Sequence, residues 1–77
     1  MKQNLKKILI QVSEKILGKK NNFEKINYVE SLDSIQMMEF ISFLEKKLKI
    51  TIRPEKINRK NFTSFKNILK LINEISK

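Results

Sequence analysis

Asp33-Ser34-Ile35-Gln36-Met37-Met38-Glu39-Phe40-Ile41-Ser42-Phe43-Leu44-Glu45-Lys46-Lys47-Leu48 is the stretch on which the fold turns. Met37, Phe40, Ile41, Leu44 and Leu48 recur at helical spacing and make one apolar stripe. Asp33 is the only aspartate in the chain, and Gln36 follows it by three residues. That pair predicts an N-cap and an Asp version of the capping box, with Ser34 opening the helix. Lys46, Lys47 and Lys49 fall where cations complement the negative end of a helix dipole. A helix is therefore expected over residues 34–48. Ile35, Met38 and Ser42, flanked by Glu39 and Glu45, form a second face that one small core cannot cover completely.

Upstream, Leu5, Ile8, Leu9, Val12 and Ile16 share one helical face, and Gly18, the only glycine, marks its stop. Residues 19–31 break the periodicity and read as a long loop, pinned over the core by Phe23, Ile26, Tyr28, Val29 and Leu32. Downstream, Ile50-Thr51-Ile52 is β-prone but too short to pair, and Arg53-Pro54 ends it. Residues 55–61 suit a single helical turn, with Ile57 and Phe62 directed inward. Thr63 or Ser64 caps a last helix whose stripe is Phe65, Ile68, Leu69, Ile72 and Ile75. Phe40, Phe43, Phe62 and Phe65 are assigned to the core, and Arg59 to solvated surface. The expected fold is all-α, a small four-helix bundle in a single domain over residues 1–77. It has three main helices plus one short helix, and a long loop between the first and second.

Seventy-seven residues bury a modest core, so stability must come from efficient packing. With no Cys there is neither a disulfide nor a thiolate metal site, and with no His the usual general base is missing. No catalytic constellation is left, and a non-enzymatic role is expected. The longest apolar run, Ile8-Leu9-Ile10, is far short of a membrane span or a signal-peptide core, which points to a cytoplasmic protein. The net charge of +9 raises nucleic acid as a partner. The lysines form no single dense tract, however, and Lys, Ile and Asn all have AT-rich codons. A genome-wide base bias would give such a composition without selection for a polyanion, and that reading is preferred over a functional basic surface.

Leu32-Asp33-Ser34-Ile35-Gln36, with a long first helix and loop before it and a Thr/Ser-capped final helix after it, resembles the acyl and peptidyl carrier proteins. The likeness spans nearly the whole chain. It implies that Ser34 receives 4′-phosphopantetheine and that Asp33 both caps the helix and presents the serine. It implies docking through Ile35, Met38, Glu39 and Ser42. The partners implied are a phosphopantetheinyl transferase, an acyl- or aminoacyl-loading (adenylating) enzyme and a downstream transferase or synthase, all acting on a monomer. Glu30-Ser31-Leu32 mimics the motif, but counting from Ser31 shifts every later position by three. Where many members carry Gly two residues before the Asp, this chain has Ser31, and its Pro54 lies one place late. Lys46 and Lys47 stand where acids are common in that family. The run 57–64 is similar to the D-alanyl carriers and to stand-alone carriers of surface-polysaccharide or secondary-metabolite pathways.

Three functions follow as expectations. A carrier holds its cargo as a thioester on an arm at Ser34. A basic helical domain binds nucleic acid, although no helix joins a dense basic face to base-reading polar residues. A carrier-like interaction module is never modified at all.

Overall fold

Each long helix forms where apolar residues recur at helical spacing and a polar residue caps the start. In the computed structural model, which describes residues 4–19 and 22–76, these are α1 (Leu5–Leu17), α3 (Ser34–Leu48) and α5 (Phe65–Ser76). Two single-turn helices join them, α2 (Tyr28–Ser31) and α4 (Arg59–Phe62), with a 3-10 turn at Pro54–Lys56. The described residues contain no strand, only an isolated bridge between Asn27 and Ser64. α1 packs on α3 and on α5, α4 packs on α5, and α2 rests on α4.

The asparagines that a base bias would supply carry much of the capping. The side chains of Asn4, Asn27 and Asn58 accept from the backbone N–H of Lys7, Glu30 and Asn61, starting α1, α2 and α4. Ser64 starts α5 by accepting from the Asn67 N–H at 3.2 Å, which settles the choice between Thr63 and Ser64. The Thr63 hydroxyl instead donates back to the Arg59 carbonyl. At the other end of α3, Lys49 takes a left-handed conformation (φ 56°, ψ 45°) and its N–H returns to the Glu45 carbonyl.

Leu9, Phe40, Leu44, Ile68 and Ile72 form the solvent-free centre, with Val12, Phe62 and Phe65 beside them. The loop after α1 is nailed to this core by Phe23, Tyr28 and Leu32, as the sequence leads one to expect. The Tyr28 ring meets Phe40 with centroids 5.4 Å apart. Its hydroxyl donates to Ser13 Oγ at 2.7 Å, and Ser13 in turn donates to the Leu9 carbonyl at 2.8 Å. Both residues are fully buried, and Ser13 is the one buried polar residue among those described.

Several expectations need correction. The loop contains a helical turn, α2, because Asn27 caps it and the Tyr28 N–H reaches the Thr63 carbonyl at 2.8 Å. Residues 55–61 are not one turn. Pro54 starts a 3-10 turn, and Asn58, in extended conformation, interrupts before α4 begins. That break turns Ile57 outward, 38 % exposed, while Phe62 does go inward. Met37 and Phe43 are half-buried rather than central, and the Lys15 ammonium lies 4.4 Å over the Phe43 ring. The buried side of α5 includes Leu71, and Leu69 and Ile75 lie at its margin.

Candidate functional site

On a helix turning about 100° per residue, Ser34, Ile35, Met38, Glu39 and Ser42 share an arc of roughly 140°, opposite Phe40, Ile41, Leu44 and Leu48. The structure keeps that division. All five of the first group are exposed, and the four opposite them are buried. Ile35 is 71 % exposed and Met38 70 %, so the loop that follows α1 does not cover them. They are two of the three large apolar side chains left open among the described residues.

The N-terminus of α3 has the reciprocal cap foreseen from Asp33 and Gln36. Asp33 Oδ1 accepts from the Gln36 N–H at 2.7 Å, and Gln36 Oε1 accepts from the Asp33 N–H at 3.1 Å. Of the four N–H groups that a helix start leaves over, those at positions 33 and 36 are thus satisfied. The two between them, on Ser34 and Ile35, have no protein acceptor among the described residues. The Ser34 hydroxyl is likewise unbonded there. Two free donors beside an open hydroxyl, at the positive end of a 15-residue helix, suit an anionic group. Ser31, the rival position, ends the single turn of α2 and is also exposed, but it lacks such a helix behind it.

Glu45 lies beside this face in sequence but has another task. Its Oε2 accepts from the Ile52 N–H at 2.8 Å, which ties the segment after α3 back to the helix and seats the buried Ile52. Sequence reading missed this contact, because a carboxylate seven residues before an N–H has no local signature. Glu39 and Ser42 remain open to solvent. Among the described residues no cluster of acidic groups could hold a metal ion. None of their helices is long and apolar enough to cross a membrane. Set against family models, curated proteins and solved structures, the chain matches none of them.

Proposed function

We propose that this chain is a carrier protein in a biosynthetic pathway, with Ser34 as the attachment point of a 4′-phosphopantetheine arm. The observation that carries the reading is the open, unbonded Ser34 hydroxyl at the capped start of α3, next to two free backbone donors. When bound, the arm supplies the thiol that the sequence lacks, on which an acyl or aminoacyl cargo is held as a thioester. In a transferase, the Ser34 oxygen attacks the coenzyme A pyrophosphate and forms a phosphodiester as the nucleotide leaves. Asp33 holds the first turn so that this oxygen faces outward, and the Ser34 and Ile35 N–H groups favour the resulting negative charge. Ile35 and Met38, with Glu39 and Ser42 around them, offer an apolar patch with a polar margin for partner enzymes. The chain performs no bond-making of its own. It positions cargo and raises its local concentration at each partner.

Incubation with coenzyme A and several broad-specificity phosphopantetheinyl transferases tests this. Intact-mass measurement should show one arm added to the wild type and to Ser31→Ala, and none to Ser34→Ala. A wild type that stays unmodified while a control carrier is labelled in the same tubes sinks the proposal.

A further inference from the structure

The chain's charge is not evenly spread. Residues 22–45 hold five acidic side chains and a single lysine, whereas residues 46–60 hold seven basic side chains and one acid, Glu55. All eight charged residues of that second run are exposed. Its one ion pair, Arg53 to Glu55 at 3.7 Å between well-exposed side chains, leaves the positive charge in place. The chain has fifteen lysines and two arginines, and both arginines, Arg53 and Arg59, fall in this run. Arginine's planar fork matches phosphate oxygens in pairs, which lysine's does not. Between Lys56 and Arg59 in this run lies the outward-turned Ile57, the third exposed large apolar side chain among the described residues.

We propose that the exposed segment from Lys46 to Lys60 is a docking surface for a membrane rich in anionic phospholipid. A run of exposed basic side chains with an open aliphatic one among them is the composition that binds such a surface. The charges meet the headgroups, and the isoleucine enters the boundary with the acyl chains. Nucleic acid fits less well. All six aromatic side chains are buried or half-buried, and the half-buried one, Phe43, lies under Lys15, so no stacking platform exists for bases. The basic groups lie on the last turn of α3, a connector and a four-residue helix, none of which presents a long basic face to a groove.

Flotation of the unmodified full chain with lipid vesicles tests the proposal, and its failure would leave the reading of Ser34 untouched. Binding is expected to vesicles of equal parts phosphatidylcholine and phosphatidylglycerol, to fall steeply with added salt, and to be absent with phosphatidylcholine alone. Each basic side chain removed should weaken binding about five-fold, so Arg53→Gln with Arg59→Gln should lose about thirty-fold. Lys46→Gln with Lys47→Gln should lose a similar amount. The same charge removed from α5, Lys66→Gln with Lys70→Gln, should cost no more than about two-fold. Ile57→Ser should weaken vesicle binding and leave binding to polyglutamate unchanged. All these positions are exposed, and helical circular dichroism confirms folding of each variant. An equal loss from the α5 pair, no binding to the anionic vesicles, or tighter binding to duplex RNA or polyglutamate at matched charge would overturn it.

Discussion

Deleting either hydroxyl of the buried Ser13–Tyr28 pair should destabilise the fold, but the second deletion should then repair part of the first. Tyr28→Phe removes one hydrogen bond and leaves Ser13 still donating to the Leu9 carbonyl. That should cost about 0.5–1 kcal/mol. Ser13→Ala instead strands the phenolic donor at a position with no solvent exposure, a penalty of about 1–3 kcal/mol, offset by about 0.5 kcal/mol of helix propensity. In the Ser13→Ala background Tyr28→Phe takes away the orphan, so it should stabilise rather than destabilise. A coupling energy of at least about 1 kcal/mol should result. Urea unfolding followed by far-UV ellipticity would read this in four proteins. With a slope of about 1 kcal/mol per molar urea, each kcal/mol moves the midpoint by about 1 M. That is a large fraction of the ~4–11 kcal/mol expected for a chain this size. If Tyr28→Phe lowers the midpoint equally in both backgrounds, the hydroxyls do not form the closed chain described above and the reasoning fails.

The same residue makes an alkaline limb. Burial pushes the Tyr28 phenol from 10.0 up to about 12, and Ser13 offsets this only in part, by turning its hydroxyl to donate to the phenolate once it forms. The neutral form is therefore favoured in the folded state, and its stabilisation is complete below pH 10 and lost as pH rises toward 12. Wild type should lose up to about 1.4 kcal/mol per pH unit more than Tyr28→Phe over that interval, in urea midpoints measured at stepped pH. Because Tyr28 is the only tyrosine, the tyrosinate absorbance of the native protein should rise at higher pH than that of the unfolded chain. Lys49→Gly should stabilise by about 1 kcal/mol, since the left-handed turn at φ 56° burdens any side chain, and thermal unfolding would show it. Glu45→Ala should cost about 1–2 kcal/mol in urea unfolding by stranding the Ile52 N–H, and Glu45→Gln, which retains an acceptor oxygen, should cost less.

The long helices and the exposed face of α3 were legible because periodicity and capping are local. Asp33 and Gln36 announce the start of α3, and Ile35, Met38 and Ser42 fall off its apolar stripe by spacing alone. What escaped depends on contacts between distant residues. Nothing local marks Ser13 as buried, and its burial depends on Tyr28, fifteen positions later, folding over it. The outward Ile57 follows from Asn58 breaking the turn, and Asn58 is indistinguishable in sequence from an ordinary polar loop residue. The helical turn at Tyr28–Ser31 is too short for periodicity to register, and it depends on the bond from the Tyr28 N–H to Thr63. The basic run over residues 46–60 is different, since it needs no contact and stands out once Arg53 and Arg59 are counted with the lysines.

The segment between Ile52 and α4 is secured in an unusual way. Residues 53–60 are all exposed, and side-chain amides of Asn58, Asn61 and Asn67 hold the strip by donating to the carbonyls of Glu55, Lys56 and Lys60. Lifting it would uncover hardly any greasy area, so denaturant would do little to promote that opening, whereas warming would loosen it well ahead of the bundle. A strap fastened by polar contacts alone is the part of the fold whose shape can change at least cost to the core beneath it.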